Sequence, residues 1–318
     1  MTALIKPKFH LLLVEIFNKS LTLQYISINL YMKILRGTDA VIDYVTQQKG
    51  RNASIGFVPT MGALHEGHLS LVERCVAENE VSIVSIFVNP AQFNNADDLK
   101  NYPRDEEKDF QLLAAAGVSA VFAPTEKEIY PEGHENGEIK EYDLGDAAVV
   151  MEGKYRPGHF QGVARILDIL FRLIRPQRAY FGEKDFQQIA VVRNMIESEG
   201  IDVDIVACPI KRAEDGLALS SRNALLDPEQ RRAASKIYAA LDYSVEYSKN
   251  HSVRATHDTV VERIDAVPGL KVEYFEIIDA RTLMPVDEWD ESPWIVGCIT
   301  VYCGEVRLID NITYRLLE

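Results

Sequence analysis

The chain has 318 residues, with 34 Lys or Arg and 48 Asp or Glu, so its formal charge is −14. A hydrophobic content of 47% with 26% charged residues is typical of a globular protein and excludes a disordered, collagen-like or coiled-coil chain. The acidic balance disfavours a broad nucleic-acid or membrane surface, because polyanions are repelled. Any phosphate-bearing ligand must therefore be held by a local group of donors.

The four cysteines form no CxxC pair. Their spacing favours neither a disulfide framework nor a structural zinc site, and it is typical of a reducing compartment. No stretch approaches the roughly 18 uncharged apolar residues of a transmembrane helix. We therefore expect a cytoplasmic protein.

Residues 1–31 contain a short apolar run, Leu11–Val14, which Glu15 closes. Two lysines precede the run, as in a signal peptide, but no convincing small-residue cleavage site follows. A transit peptide is an alternative, because Glu15 is the only acidic residue of the segment. We favour the interpretation that Met32 is the working start and that residues 1–31 lie outside the fold.

From Ser54 onward, β-rich runs alternate with helical patterns. The predicted strands are Ser54–Val58, Val81–Val88, Ala120–Ala123, Arg178–Phe181 and Val203–Ala207. The predicted helices are His68–Asn79, Asp105–Ala116, Phe160–Ile174 and Asp185–Glu199. Apolar strands separated by amphipathic helices predict an α/β fold, with a parallel sheet that is covered on both faces and binds ligands at the carboxyl ends of its strands.

The pattern changes near Pro209, where a charged loop begins. The predicted elements beyond it are helices around Pro228–Asn250 and Ser252–Ala266, and β-rich runs at Lys271–Asp279 and Trp294–Asp310, the latter a hairpin turning near Gly304. Helices followed by adjacent strands predict a small α+β domain. We therefore place a first domain at residues 32–209 and a second at 210–318.

The segment PTMGALHEGH, Pro59 to His68, follows a predicted strand and opens a helix. Gly62 and Gly67 permit a close approach of the backbone to a ligand, and the helix start offers unpaired N–H groups to an anion. His65 and His68 are three residues apart, so one helical turn can present both to one phosphate chain, more strongly if they are protonated. Metal ligation competes, but no third ligand is suitably spaced, and we favour a phosphate site.

The segment IFVNPAQF follows the second predicted strand. Asn89 and Gln92 fall where a ligand-facing loop is expected, and their amides suit the hydroxyls and carbonyls of a small polar substrate. An Asn-Pro turn with a solvated glutamine is an alternative of nearly equal weight.

Two segments, RPGHFQGV (Arg156 to Val163) and AYFGEKDFQQ (Ala179 to Gln188), form the next signal. Lys184 can neutralise a phosphate, and Asp185 can cap the following helix or hold a nucleotide ribose. A surface lysine is the alternative, but the carboxyl edge of the sheet favours a functional one.

The segment LALSSRN lies between the two predicted domains. Ser220, Ser221 and Arg222 offer two hydroxyls and a guanidinium fork with no obvious local partners, which suits a mobile phosphate clamp. The alternative is an inter-domain turn with an N-cap serine.

The HxGH motif, together with a later Ser-Ser-Arg loop similar to KMSKS, resembles the nucleotidyltransferase superfamily that includes class I aminoacyl-tRNA synthetases. Seven motifs narrow the resemblance to the pantoate–β-alanine ligase family, in which they occur in the same order: PTMGALHEGH, FVNPAQF, YPRD, RPGHFQGV, YFGEKDFQQ, LALSSRN and RLIDN. The resemblance spans about Met32 to Asn311.

This resemblance implies a Rossmann-like, doubly wound parallel sheet that binds ATP and pantoate, with a smaller C-terminal α+β lid domain. It implies a homodimer that uses ATP as co-substrate with Mg²⁺. Pantoate would attack the α-phosphate of ATP to give pantoyl adenylate and pyrophosphate, and β-alanine would then displace AMP to form pantothenate. The implied partners are these small molecules, with no nucleic acid and no membrane.

The resemblance also assigns residues. The implied ATP contacts are Met61, Gly62, Ala63, Leu64, His65, Glu66, Gly67, His68, Gly182, Glu183, Lys184, Asp185, Lys211, Leu219, Ser220, Ser221 and Arg222. The residues suited to stabilise the pyrophosphate leaving group are His65, His68, Lys184, Ser220, Ser221 and Arg222. The implied pantoate-binding residues are Gln92 and Gln188, with Asn89 beside them, and the protein ligands of Mg²⁺ stay unknown.

His68 occupies the position that the family describes as proton donor, and we interpret it mainly as a hydrogen-bond donor to pyrophosphate. Lys211 departs from the family, whose members tend to have an apolar residue there, near adenine. Two alternatives remain: another HxGH-type adenylyltransferase, which would lack the paired FVNPAQF and GEKDFQQ motifs, and a non-catalytic nucleotide-binding module, which would be expected to have lost His68, Lys184 or Arg222.

Overall fold

The computed structural model describes residues 32–136 and 140–317. In these residues a six-stranded parallel sheet, flanked by helices, packs beside a three-stranded antiparallel sheet with two helices. The predicted α/β class, with a smaller C-terminal α+β part, is confirmed. Residues 1–31 lie outside the described part of the chain, so the interpretation of that segment stays a prediction.

The parallel sheet contains all five predicted strands and one more. Its strands are β1 (Lys33–Leu35), β2 (Ile55–Thr60), β3 (Val81–Ile86), β4 (Ala120–Phe122), β5 (Arg178–Gly182) and β6 (Asp204–Cys208). The helices of this part are α1 (Thr38–Lys49), α2 (Glu66–Glu78), α3 (Ala96–Asn101), α4 (Glu106–Ala115), α5 (Glu126–Ile129), α6 (Glu152–Tyr155), α7 (His159–Ile174) and α8 (Phe186–Ser198). The four predicted helices are present as α2, α4, α7 and α8, whereas β1, α1 and the three short helices were not predicted.

The strands lie in the order β1-β4-β3-β2-β5-β6, and every pair is parallel. From β2 the chain moves outward through β3 and β4, and it then returns to the other side of β2 for β5 and β6. The strand order therefore reverses between β2 and β5. In a doubly wound sheet the crevice beyond the carboxyl ends of such a strand pair is the expected ligand site.

Two hydrophobic cores cover the two faces of this sheet. Successive side chains of a strand point to opposite faces. Phe57 of β2 packs with the core that contains α1 and α7, including an edge-on contact with Phe171 at 6.2 Å between ring centroids. Its neighbour Val58 belongs to the other core, with Val72 of α2 and Leu113 of α4. Burial on both faces explains why the strands are almost wholly apolar.

The C-terminal part confirms the predicted helices and hairpin. Its elements are α9 (Pro228–Ser248), α10 (Val253–Asp265), β7 (Leu270–Asp279), β8 (Trp294–Cys303) and β9 (Val306–Leu316). The sheet order is β7-β8-β9, with both pairs antiparallel. The hairpin turns at Gly304, whose φ of 58° lies in the left-handed region, and β9 runs on past Asp310. The division at residue 209 stays a prediction. Among the described helices we find none with the length and apolarity needed to traverse a bilayer.

Candidate active site

A cavity of about 210 Å³, here called the main cavity, lies at the carboxyl ends of β2 and β5. It brings together residues from all of the predicted segments. The predicted site residues that line it are Met61, His65, Gly67, His68, Asn89, Gln92, Gly182, Lys184, Asp185, Gln188, Lys211, Leu219, Ser220, Ser221 and Arg222. Five others do not line it: Gly62, Ala63, Leu64, Glu66 and Glu183. Gly62 and Leu64 are buried beneath the turn, and Glu66 is exposed at the start of α2.

Asp109 of α4 holds the turn between β2 and α2. The backbone is left-handed at Gly62, with φ of 79°, and at Ala63, with φ of 50°. The Asp109 carboxylate accepts hydrogen bonds from the N–H groups of Ala63 at 2.8 Å and Leu64 at 2.7 Å. A Cβ atom on Gly62 would lie 2.9 Å from the same carboxylate, so this position requires glycine. Burial raises the pKa of Asp109, which is only 1% exposed.

The two histidines of the turn are neutral at pH 7. The Nδ1 atom of His65 accepts a hydrogen bond from the Gly67 N–H at 3.1 Å, so its proton is on Nε2. The ring of His65 lies 4.1 Å from that of His68, between centroids. Burial, with Lys184 next in effect, lowers the pKa of His65 to about 4. Burial, followed by the neighbouring His65, lowers the pKa of His68 to about 3. The protonated form considered from sequence is therefore not the form present at pH 7.

His68 carries an unused polar atom. Its Nδ1 is buried and has no hydrogen-bond partner among the described residues. Buried polar groups in folded proteins almost always have a partner, and an exception needs an explanation. A ligand in the main cavity would supply one, because His68 lines that cavity.

The side chain of Asn89 forms its hydrogen bonds with other residues of the protein. It is 1% exposed, and its amide donates to Oε1 of Gln92 and to the carbonyl of Gly162, both at 3.0 Å. Its Oδ1 accepts a hydrogen bond from the hydroxyl of Tyr130 at 2.8 Å. The role of Asn89 in this geometry is to fix the Gln92 carboxamide. Gln92 and Gln188 both face the main cavity, and substrate contact by any of these amides stays a prediction.

The Ser-Ser-Arg segment has hydrogen-bond partners, and most of them come from distant parts of the chain. Arg222 pairs with Asp98 of α3, with Nη2 2.9 Å from Oδ2 and Nε 3.3 Å from Oδ1. Ser221 donates to the carbonyl of Ala63 at 3.1 Å. Ser220 caps the short 3-10 turn Ser221–Leu225 by accepting from the Arg222 N–H, which is the role that the alternative interpretation gave to a serine. The acidic partner on α3 could not be seen because it is 124 residues away in sequence.

Two residues of the RLIDN motif also support the site. Asn311 of β9 donates to the carbonyls of Glu183 at 2.8 Å and Lys184 at 3.2 Å, and so fixes the turn after β5. Asp310 accepts both arms of Arg212, at 2.6 and 2.9 Å. Sequence reasoning gave these residues no role, although they lie within a motif that it quoted.

The comparisons with known proteins agree with the geometry. The family model described as pantoate-beta-alanine ligase matches residues 33–313. The chain belongs to the pantoate–β-alanine ligase family. It is therefore a ligase, and residues 1–31 precede the matched range.

Curated relatives of this ligase include the pantothenate synthetase of Porphyromonas gingivalis, which is 51% identical over 89% of this chain and 100% of that protein. The pantothenate synthetase of Bacteroides fragilis is 50% identical over 89% and 99%, respectively. A crystal structure of pantothenate synthetase from Thermus thermophilus has a TM-score of 0.82 at 42% identity, covering 89% of this chain and 100% of that one. The ligase of Francisella tularensis, complexed with β,γ-ATP and β-alanine, has a TM-score of 0.75 at 36% identity, covering 89% and 98%.

Proposed function

We propose that this chain condenses pantoate with β-alanine at the expense of ATP, through a pantoyl adenylate held in the main cavity. The observation that carries the proposal is the convergence of phosphate donors and carboxamides in one cavity. The His65–His68 pair and Lys184 lie beside Gln92 and Gln188. Transfer of an adenylyl group to a small hydroxy acid requires donors for the phosphates of ATP and polar groups for the hydroxyls of the acid.

In the first step a carboxylate oxygen of pantoate attacks the α-phosphorus of ATP, and the bond from that phosphorus to the bridging oxygen breaks. Negative charge grows on the departing pyrophosphate. Donors already oriented toward such charge lower the barrier, because they need no reorganisation during the reaction. The groups that we assign to this task are His65, His68, Lys184, Ser220, Ser221 and Arg222.

His68 acts as a hydrogen-bond donor in this proposal. With its pKa lowered to about 3 by burial, its imidazole is neutral and holds a single ring proton at pH 7. Pyrophosphate leaves as a stable anion, so the step needs stabilisation of charge and no proton. A neutral N–H group provides this without the desolvation cost of a buried cation.

In the second step the amine of β-alanine attacks the carbonyl carbon of the adenylate, the bond to the phosphate oxygen breaks, and AMP leaves with release of one proton. Gln92 and Gln188 hold the pantoyl hydroxyls through both steps. Asn89 keeps Gln92 in place, since it holds Oε1 of Gln92 at 3.0 Å.

Mg²⁺ belongs to this proposal as a partner of ATP. Asp185 is the acidic residue among the described residues lining the main cavity, and carboxylate and phosphate oxygens are the ligands that Mg²⁺ prefers. Within the described part of the chain no group of three or more His, Cys, Asp and Glu could hold a metal ion, so most ligands would come from ATP and water. When bound, the ion would neutralise phosphate charge.

A homodimer, which the family resemblance implies, and a cytoplasmic location, which the cysteine pattern favours, complete the proposal. Light scattering of the purified protein should give twice the chain mass. A monomer would remove the dimer from the proposal and leave the chemistry intact.

The decisive experiment is pantoate-dependent exchange between ATP and pyrophosphate in the absence of β-alanine. We expect exchange that requires pantoate. Exchange that ignores pantoate would favour another adenylyltransferase, and no exchange would favour a nucleotide-binding module.

A pair of variants then separates leaving-group chemistry from substrate binding. His68→Ala should slow adenylate formation by roughly 10²–10³-fold, the effect of losing one oriented donor. It should leave supplied pantoyl adenylate reacting with β-alanine at a near-normal rate, because no pyrophosphate departs in that step. Gln92→Ala should instead raise the KM for pantoate and weaken adenylate binding. Equal damage to both half-reactions by His68→Ala would show that the assignment is wrong.

A further inference from the structure

A second, smaller cavity adjoins the main one. This side cavity, of about 50 Å³, lies between the segment from α6 to the start of α7 and the C-terminal sheet. Three residues line both cavities: Lys184, Asp185 and Gln188. A group bound in the side cavity is therefore next to whatever occupies the main cavity.

The side cavity contains the guanidinium of Arg156, which is held in place by a hydrogen bond to His159. The Nδ1 atom of His159 lies 2.9 Å from the carbonyl oxygen of Gln92, which can only accept, so Nδ1 carries the proton. Nε2 of His159 is then the acceptor for Nη1 of Arg156, at 3.2 Å. Burial, followed by Arg156, lowers the pKa of His159 to about 4, in agreement with this neutral form. Arg156 is thus fixed relative to the backbone of Gln92, whose side chain faces the main cavity.

The carboxylate of Glu152, the acidic neighbour of Arg156, already forms hydrogen bonds with three other residues. Both oxygens of Glu152 receive Arg307, each at 2.7 Å, and Oε1 also accepts from the hydroxyls of Tyr274 at 2.7 Å and Thr300 at 3.0 Å. Arg156 reaches Glu152 only at 3.5 Å, from Nη1 to Oε2. This distance is too long for a good hydrogen bond.

Arg156 therefore keeps donors for a ligand. Its contact with the Gln92 carbonyl is also long, at 3.5 Å, so its bond to His159 is the short one among the described residues. A guanidinium has about five N–H donors in a planar fork that matches a carboxylate. The side chain is only 17% exposed, so such a pair would be partly shielded from water.

We propose, on the basis of the proposed function, that Arg156 binds the carboxylate of the amino-acid substrate, β-alanine, in the side cavity. Two carbons separate the amine of this substrate from its carboxylate. An amine that attacks the adenylate in the main cavity must therefore have its carboxylate in an adjoining space. The reacting carboxylate of pantoate has to face the α-phosphate. Lys184 lines both cavities but is assigned to the phosphates in the proposed function, so Arg156 is the cation that we assign to the second substrate.

The test compares Arg156→Gln with the unmodified ligase in each half-reaction. We expect the KM for β-alanine to rise about 10- to 10²-fold, the effect of losing a charged hydrogen-bonding partner. Pantoate-dependent exchange without β-alanine should be unchanged, because the first step makes no use of Arg156. Preference for β-alanine over 3-aminopropanamide, in which a neutral amide replaces the carboxylate, should fall by a similar factor.

Arg172→Gln is the matched control. Arg172 lies on α7, the helix that begins three residues after Arg156. It pairs with Asp168 at 2.7 Å and lines neither cavity. It should change neither the KM for β-alanine nor the preference. If Arg156→Gln fails to unfold cooperatively, Arg156→Lys decides the matter, since it keeps the charge and loses the fork, and we expect an intermediate rise in KM.

Three outcomes would overturn the inference: an unchanged KM for β-alanine, an equal rise in KM for the neutral amide, or an equal loss of exchange, which would show a structural role. Absence of exchange in the unmodified protein is a different result. It would refute the proposed function itself, before Arg156 is considered.

Discussion

Asp109 offers a direct test of how the turn between β2 and α2, the proposed phosphate-binding turn, is built. It lies on α4, lines neither cavity, and accepts the two consecutive N–H groups of Ala63 and Leu64. The perturbation is Asp109→Asn, which keeps the shape of the side chain. One acceptor oxygen becomes an amide that must face an N–H group of the turn.

The size of the effect follows from these contacts. A hydrogen bond to a charged group contributes about 1.5–3 kcal/mol, and a buried donor left unpaired carries a similar penalty. Asp109→Asn removes one of the two bonds, so the left-handed turn at Gly62 and Ala63 should lose about 2–3 kcal/mol relative to relaxed conformations. If only the native turn presents His65 and His68 to ATP, this corresponds to roughly 30- to 150-fold in kcat/KM for ATP.

The assay is pantoate-dependent exchange as a function of ATP concentration, with thermal unfolding measured on the same samples. Asp105→Asn is the matched control, because Asp105 is exposed and caps α4 by accepting from the Lys108 N–H at 3.1 Å. Asparagine is an equally good N-cap, so this variant should behave like the unmodified protein. Activity of Asp109→Asn close to that of the unmodified ligase, or an equal loss in Asp105→Asn, would refute the reasoning.

Three further predictions concern pH, the clamp and the N-terminal segment. Burial lowers the pKa of His68 in the folded protein to about 3, whereas the unfolded chain has the ordinary value of about 6.5. The unfolded chain therefore binds more protons below about pH 6.5. The contribution of His68 to the free energy of unfolding should be fully present above that pH and decline as the pH falls toward 3. Urea midpoints from pH 7 to 4 should depend less on pH in His68→Gln than in the unmodified protein, and the same dependence in both proteins would contradict this. Asp98→Asn should lower the KM for ATP by about 1.4- to 5-fold, because it releases Arg222 from a partly exposed ion pair that contributes about 0.2–1 kcal/mol, and a raised KM would show that Asp98 helps to bind ATP. Removing residues 1–31, which precede the matched family range, should leave turnover and melting temperature unchanged, and a large loss in either would show that the segment takes part.

The parallel sheet was predictable because its strands are buried on both faces. Nearly every residue of β2, β3 and β4 is buried, so each strand is a short apolar run between two helical patterns in the sequence. The edge strand β1 has only three residues and leaves no such run. The helix α1 does have buried residues at helical spacing, Val41, Tyr44, Val45 and Gln48. Its β-branched residues weaken the local helical preference, and this masked the pattern.

The lining of the main cavity was predictable where the polar side chains lie within one motif, while their roles stay predictions. The histidines, Lys184 and the carboxamides each occur in a short segment at a strand end, and the fold brings these segments to one cavity. The supporting residues were not predictable in this way. Asp109 acts on backbone atoms 45 residues away, and Asn311 acts on a carbonyl 128 residues away. Such contacts depend on tertiary structure and leave no local periodicity. An acidic residue beside Phe110 on the buried side of α4 was the one available signal.

The contacts between the two parts of the molecule bear on what moves during the reaction. Arg307 of β9 and Glu152 of α6 form a mostly buried pair, with side chains 18% and 10% exposed. Separating such a pair leaves an uncompensated charge and costs about 3–5 kcal/mol. Asn311 adds two hydrogen bonds to the turn that carries Lys184. Opening the whole C-terminal part as a lid would break all of these and displace Lys184 at the same time.

Moving the Ser-Ser-Arg segment, Ser220 to Arg222, would break fewer and more exposed contacts than moving the C-terminal part. Arg222 is linked to α3 by its partly exposed pair with Asp98, and Ser221 is linked to the turn after β2 by one hydroxyl bond to the Ala63 carbonyl. Both residues also contact Tyr102, the residue that follows α3. Exchange of the Asp98 carboxylate for a phosphate replaces one anionic partner by another, so Arg222 need never be left without one. We therefore expect closure over ATP to involve this segment, and we expect the C-terminal sheet to stay in place as a wall that positions Lys184 and completes the side cavity.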